Sequence, residues 1–451
     1  MIVFRRRLLY WIIREYLRKW SKTIVASFAV GLVIFFILLV LLRYFTPKIP
    51  LGNNESIGVV GAYTIESLPL FILGDISKGL TTVSDDGKPG PSIAKEWKIE
   101  QNGKKYTFFL SDDIIFSDGT KFSSEDVVYN FSDADVKRPN RKTIVYNLKD
   151  TYSPFLISVS RPIFKKGLVG IGPYSVKDVK VNGSFVQTII LALQKNSYQT
   201  RTYQFYPSHD ALKTAYILGE VSWAIGLLDP SYKKTSLENF PNTTVKKKIN
   251  YQQLVTLFYN TQDSVLSDKR LRSALSYALP NVFSEGARAH SPIAPGSFAY
   301  AENFSFDQDV EQAKILLSAS ETATKSAHLS LEIKTLNKYK HTAEIIAKAW
   351  EMIDIKTKIV TVDKIPDKFQ IFLGNFFLPQ DPDQYTLWHS AQVNNITRYN
   401  NQRIDKLLED GRKTVDINER KKIYSDFQKY LLADSPASFL FFPYEYEIMR
   451  K

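Results

Sequence analysis

The sequence predicts an α/β protein carried behind a single membrane-spanning helix, and three observations lead there. Residues 23–42 contain no charge, close to the ~20 apolar residues that a bilayer requires. Farther along, Leu329, Leu331 and Ile333 alternate as a strand. Ile345, Ile346, Ala349, Trp350 and Ile353 then mark one face of a helix, and residues 358–362 read as another strand. This is a βαβ pattern, and it predicts a parallel sheet covered by helices. Finally, Trp97-Ile99 and Tyr106-Phe108-Leu110 alternate apolar with polar residues on either side of Asn102-Gly103, which signals a hairpin. With 451 residues, 44% apolar and 13% aromatic, the chain has material for two or three domains and a large core.

The N-terminal region divides by charge. Residues 1–22 hold Arg5, Arg6, Arg7, Arg14, Arg18, Lys19 and Lys22 against the single acid Glu15. The positive-inside rule keeps such a segment in the cytoplasm and exports the chain beyond the span. Trp20 and Tyr44 fall at its two ends, where amphipathic rings favour the interface. Leu8 to Ile13 adds an apolar patch that reads either as an amphipathic helix on the inner leaflet or as a cytoplasmic flank that only fixes topology. A cleaved signal peptide would have a shorter apolar region ending in small residues; this run is longer and ends Leu-Leu-Arg-Tyr-Phe-Thr-Pro. An uncleaved anchor is therefore expected at 23–44, with a basic cytoplasmic segment at 1–22 and a polar linker at 45–55. Cysteine is absent, which excludes disulfides, thiolate metal sites, cysteine nucleophiles and an acylated lipoprotein anchor. Of the net charge of +13, the first 22 residues supply +6 and Arg43 and Lys48 two more. The remaining +5 over some four hundred residues is no nucleic-acid footprint.

In the exported part, Gly58 to Tyr63 read as a strand entering the core. After the hairpin come a turn at Asp118-Gly119-Thr120 and a helix N-cap at Ser123-Ser124-Glu125-Asp126. Gly170-Ile171-Gly172-Pro173-Tyr174 feeds an alternating meander. Residues 211–219 form a helix ending at Gly219. Asp268 caps another, with Leu271, Leu275 and Ala278 on its apolar face and Pro280 as its stop. Trp350 sits on a buried stripe. Enzyme chemistry is not signalled: the histidines at 209, 290, 328, 341 and 389 form no His-x-x-x-His pair, and there is neither a Gly-x-Ser-x-Gly elbow nor a phosphate loop. No cofactor or metal is expected.

The ordered stretch from Gly87 to Phe131, with its "GKPGPSIAKEW", "GKKYTFFL" and "FSDGTKFSSEDVVYNF" blocks, resembles family 5 extracellular solute-binding proteins, the peptide-, dipeptide- and nickel-binding receptors of ABC importers. A second block resembles the same family: Asn260, Thr261, Asp268, Arg270, Arg272, Ala274, Leu275, Tyr277 and Ala278 fall into its register. So do Tyr399, Asn401, Asp405, Leu407, Leu408, Asp416, Arg420, Tyr424, Gln428 and Leu431. The resemblance implies a bilobal periplasmic-binding-protein fold of type II that closes on a ligand held between its lobes. It divides the chain into an N-terminal lobe at 56–250, with a small inserted domain at about 85–165, a second lobe at 251–430, and a return to the first lobe at 431–451. It further implies ligand contacts from Tyr63, Asn260, the loop Pro295, Gly296 and Ser297, and Phe376, Phe377, Leu378, Asp381 and Asp383. Relatives meet a free amine with an aspartate three residues before an Asp-Pro-Asp turn; here that position is Leu378, and the residues between 131 and 152 are few for the family. Two readings result. One is a receptor in the cell membrane, anchored by its N-terminal helix, that passes peptide-like or other small ligands to ABC permease subunits. The other is an exported sensor or scaffold that keeps the fold for protein contacts.

Overall fold

The computed structural model describes residues 2–45, 54–304, 307–324 and 329–451. Most of the expected linker, and His328, lie outside them. The first helix, α1 (Ile2–Phe45), runs 44 residues without a break. The basic segment, the patch at Leu8 to Ile13 and the apolar run are thus parts of one element rather than successive ones. Nothing stops it, because the first proline is Pro47. Its stretch Tyr10–Leu41 is long and apolar enough to cross a bilayer, and every side chain along that stretch is exposed.

The rest of the chain forms a separate body built on a twelve-stranded sheet. Its first half begins with β1 (Glu55–Val60), α2 (Leu70–Ile76) and a short ribbon of β2 (Thr81–Val83) and β3 (Pro89–Pro91). A four-stranded antiparallel sheet follows, from β4 (Ala94–Glu100), β5 (Lys105–Leu110), β6 (Ala134–Asn140) and β7 (Thr143–Leu148), arranged β4-β5-β7-β6. After the single turn α3 (Phe155–Ser158), the chain rejoins the large sheet through β8 (Tyr174–Asn182), β9 (Phe185–Leu193) and β10 (Asn196–Tyr206). It continues with α4 (His209–Leu218), β11 (Trp223–Leu227), the ribbon β12 (Ser231–Tyr232) and β13 (Thr235–Ser236), and β14 (Thr243–Ile249). The second half starts at β15 (Gln253–Tyr259), α5 (Lys269–Tyr277), β16 (Gly286–Arg288), α6 (Val310–Ser318) and α7 (Glu321–Thr324). It then runs through β17 (Ser330–Leu336), α8 (Lys340–Glu351), β18 (Lys356–Val362), β19 (Ile371–Phe377), α9 (Tyr385–Trp388), α10 (Gln402–Lys413) and α11 (Ile417–Asp434). The last strand, β20 (Ala437–Arg450), pairs with β15 through Ala437 to Phe441 and with β11 through Tyr446 to Met449, so one strand serves both halves.

The expected βαβ unit is present: β17 and β18 are parallel in the register Ile333↔Ile359, and α8 covers them. Trp350 is 0% exposed and donates its Nε1 hydrogen to the Leu275 carbonyl at 3.0 Å. The sheet is nevertheless mixed rather than parallel. β15 brings the chain into this half, and it runs against both β19 and β20. Side-chain alternation along β15 explains the two cores here. Val255, Leu257 and Tyr259 join Ile371 and Leu373 on one face, while Leu254 and Phe258 join Phe372 on the other. Both faces are covered, so from Leu254 to Tyr259 the strand is apolar at every position but Thr256, which is itself buried.

The hairpin forms as expected, with Ile99↔Tyr106 in register and Asn102 and Gly103 at φ 51° and 81°. Asp118 Oδ1 accepts from the Thr120 N–H at 2.9 Å, closing the expected turn. The helix expected after Ser123 does not develop. Ser123 N–H donates to Asp126 Oδ2 at 2.7 Å, but only one 3-10 turn, Ser124–Asp126, forms there. Val127 is buried in the core of the small sheet and extended, which ends the turn where a helix would have continued.

Candidate functional site

A cavity of about 920 Å³ opens between the two halves of this body. One wall comes from Leu70 and Gly74 of α2, Ser77 to Gly79, Thr81 to Val83, Pro91 and Ser92, and residues around α3 that include Tyr152, Pro154, Ile157, Ser158 and Ser160 to Pro162. These two stretches are held together by backbone hydrogen bonds, Leu80 N–H to the Val159 carbonyl at 2.9 Å and Ile163 N–H to the Lys78 carbonyl at 2.9 Å. Thr81 Oγ1 donates to the Leu156 carbonyl, and Ser77 Oγ to that of Ile163.

The facing wall consists of Gln252, residues 377–381 and Asp383. The Leu378 N–H donates to the Gln252 carbonyl at 2.8 Å, which prolongs the β15–β19 pairing and fixes where Leu378 stands. Strand alternation separates the two phenylalanines. Phe377 is 69% exposed and lines the cavity, whereas Phe376 packs between Phe258 and Trp388, with ring centroids 5.8 and 6.5 Å away.

The Asp381-Pro382-Asp383 turn is built from its own acids. Asp381 Oδ1 accepts from the Asp383 N–H at 3.0 Å, and Asp383 Oδ1 from the Tyr385 N–H at 3.1 Å. Arg420 grips Asp381 with both terminal nitrogens, at 2.6 and 3.1 Å. Arg412 Nε donates to Asp383 Oδ2 at 2.7 Å. Burial pushes the Asp383 carboxyl above its ordinary value, with Arg412 opposing. Each acid therefore already has its cation. An incoming ammonium would have to compete with a guanidinium for it.

Of the residues expected at the ligand, Phe377, Leu378, Asp381 and Asp383 line this cavity, and the others stand elsewhere. Asn260 is buried and spends its amide on the Phe369 carbonyl at 3.0 Å and the Gln262 N–H at 3.2 Å. Tyr63 donates to the Val60 carbonyl at 3.2 Å and packs on Phe205. The Pro295, Gly296 and Ser297 loop turns through the Ser297 N–H to the Ala294 carbonyl, and the next N–H, of Phe298, reaches the Asp86 carbonyl at 3.0 Å. That loop thus ties the second half to the turn between β2 and β3. Lining residues that the sequence motifs do not single out include Lys78, Tyr152, Ser158, Ser160, Arg161 and Gln252. The run Ser158-Val159-Ser160-Arg161, polar at alternate positions beside a buried valine, was the one local hint. Among the described residues no group of three His, Asp or Glu side chains is arranged to hold a metal ion.

Comparison with known proteins agrees with this fold. Residues 88–397 match the family model described as bacterial extracellular solute-binding proteins, family 5 Middle. The periplasmic oligopeptide-binding protein OppA of Salmonella typhimurium is 23% identical, over 85% of this chain and 85% of its own. The dipeptide-binding protein of Escherichia coli is 22% identical, over 91% and 90%. Among solved structures, the ABC transporter substrate-binding protein CtaP of Listeria monocytogenes superposes with a TM-score of 0.75 at 20% identity, covering 88% of this chain and 94% of that one. AppA of Bacillus subtilis in complex with a nonapeptide gives 0.68 at 20% identity, covering 89% and 95%. The names of these relatives refer to binding and none to a reaction. The chain is a solute-binding protein rather than an enzyme, and it belongs to family 5 of the bacterial extracellular solute-binding proteins.

Proposed function

We propose that this chain is a membrane-tethered receptor that holds peptide-like solutes in the cavity between its halves and passes them to an ABC permease. The observation that carries the reading is the cavity itself. At about 920 Å³ it lies near the top of the ~300–1,000 Å³ range of small-molecule sites, and it mixes apolar surface with serine, threonine and glutamine groups. Exposed apolar side chains at Leu70 and Phe377 offer contact to ligand side chains without dictating them. Relatives named for oligopeptides and dipeptides support a peptide-like ligand. Helix α1, with basic residues before its apolar stretch, supports a tether whose N-terminus stays in the cytoplasm and whose receptor body is outside.

Leu378 favours a second reading, in which the fold serves as a sensor or scaffold, because the wall that would greet a ligand amine has no free carboxylate. Native mass spectrometry of the full chain in detergent, followed by denaturation and identification of released molecules, separates the two. A co-purifying set of short peptides establishes the receptor. A bare protein whose melting temperature ignores peptide pools establishes the scaffold.

A further inference from the structure

Behind the wall that carries Phe377 and Leu378, the second half holds another cavity, of about 190 Å³. Phe258, Phe372, Phe376, Leu387, Trp388 and Ile396 line it. It shares no lining residue with the larger cavity between the halves. Ile365, 50% exposed, and Ile396 belong both to it and to a surface depression of about 440 Å³, which marks where it opens. The polar side chains on its walls are engaged elsewhere. Trp388 donates its Nε1 hydrogen to Gln384 Oε1 at 2.9 Å, and Thr397 its hydroxyl to Asn395 Oδ1 at 2.8 Å. Asn375 gives its amide to Gln253 Oε1 at 3.3 Å, and Asn394 is exposed. What the side chains offer inside is ring faces, ring edges and methyl groups.

Strand geometry makes this space. Phe372, Gly374 and Phe376 share one face of β19, and the middle position brings no side chain to it. A Cβ at Gly374 would stand 2.5 Å from Phe372 Cε1, so glycine is what lets that ring lie along the strand. Directly across on β15 stands Thr256, flanked on the same face by Leu254 and Phe258. It is 0% exposed, and its Oγ1 has no hydrogen-bond partner among the described residues. A buried hydroxyl left in this way marks a face whose packing the chain itself does not complete. The rings around the gap meet at steep angles: Phe376 stands edge-on to Trp388 at 6.5 Å and is tilted by 55° to Phe258 at 5.8 Å. Such a cage holds one more ring by the same edge-to-face contacts. An apolar cavity of ~150 Å³ takes up benzene, so about 190 Å³ admits ring systems up to the size of indole. A lipid acyl chain exceeds it.

We propose that this cavity is a second binding site, for one small aromatic molecule between benzene and indole in size. It stands independently of the solute-receptor reading and meets the ligand wall only from behind, through Phe376, the neighbour of Phe377. The test uses the full chain in lipid nanodiscs, a fluoroindole as the probe and fluorine NMR, with empty nanodiscs measuring uptake by the lipid. Beyond that uptake the chain should bind one saturable equivalent. Ile396→Trp and Leu387→Trp, made separately, each put an indole of the protein where the guest would lie. Each should weaken binding on the order of tenfold or more, with the melting temperature retained. Toluene should displace the probe and decanoate should not. A photoreactive azidoindole should crosslink to β15 or to residues 365–397, a readout that needs no variant. Uptake equal to that of empty nanodiscs overturns the inference. Binding unchanged in the folded variants, or crosslinks confined to other segments, overturns the assignment to this cavity. Displacement by decanoate alone would make the occupant an acyl chain and overturn the aromatic class.

Discussion

Asp381 and Arg420 meet as a buried bidentate pair, 5% and 4% exposed, behind the wall that carries Leu378. Removing one partner of such a pair strands a charge in a poorly solvated place, which costs about 3–5 kcal/mol. Arg420→Met should therefore lower the unfolding free energy by roughly that amount in denaturant titrations; a loss below about 1 kcal/mol would mean that the pair contributes little. Arg412→Met, whose side chain is more exposed, should cost less and should act mainly on the cavity by freeing Asp383. A second group of acids governs the response to pH. Burial pushes Asp268 and Asp434 up, but hydrogen bonds overcome it and hold both below the ordinary carboxylate range. Ser320, Thr322 and the Arg270 N–H serve Asp268, and Lys269, Tyr399 and Asn401 serve Asp434. The unfolded chain then binds more protons than the folded one, so this stability is complete above about pH 4 and is lost as pH falls through the folded values. Asp383 runs the other way: its raised value adds stability at low pH that disappears as the group ionises in the fold. Denaturation midpoints measured between pH 3 and 7 should fall at the acid end, and Asp434→Asn should flatten that fall. An unchanged slope would remove Asp434 from the explanation.

Among the elements, the small sheet shows how local signals become long-range contacts. The β4–β5 hairpin was legible because Asn102-Gly103 supplies the positive φ values that its turn requires. The second role of Gly103 was not legible. A Cβ there would stand 2.5 Å from Val415 Cγ2 and 2.8 Å from Thr151 Cγ2, where the small sheet meets the second half of the body. Ser153 joins that contact, its N–H donating to the Arg412 carbonyl at 2.7 Å and its hydroxyl to Gly411 at 3.0 Å. Gly103→Val should thus destabilise the protein by about 1–3 kcal/mol and speed hydrogen exchange in β4 and β5. Exchange unchanged there would show that the contact yields freely. The same division runs through the rest of the chain. The βαβ unit and the Asp268-capped helix could be read because their periods and caps are local. The cap at Ser123 misled because Val127 is claimed by a core assembled from distant strands. Phe377, Leu378, Asp381 and Asp383 were found by their place around one turn. Lys78 and Arg161 were not, since the bonds that bring them together join residues some eighty positions apart.

For the whole molecule, the open question of arrangement is which side of a membrane the receptor body occupies. Helix α1 presents its apolar side chains to the outside along all of Tyr10–Leu41. Its part from 23 to 41, uncharged and exposed all round, is suited to an apolar solvent. At about 1.5 Å per residue, its 44 residues exceed the ~30 Å hydrocarbon core, so polar ends must project from it. Seven basic residues before position 23 favour the cytoplasm for the first end. The absence of cysteine makes this directly measurable, because any thiol label must report an introduced residue. Ser21→Cys marks the basic side without altering its charge, and Val393→Cys marks the body at a side chain that is 96% exposed. In intact cells a membrane-impermeant maleimide should label Cys at 393 and spare Cys at 21, while permeabilised cells should label both. The labelled chain should also resist alkaline carbonate extraction and keep its full-length mass. Label at 21 in intact cells would reverse the topology. A soluble product that lacks the first helix would instead make α1 a cleaved export signal and leave the receptor free to diffuse.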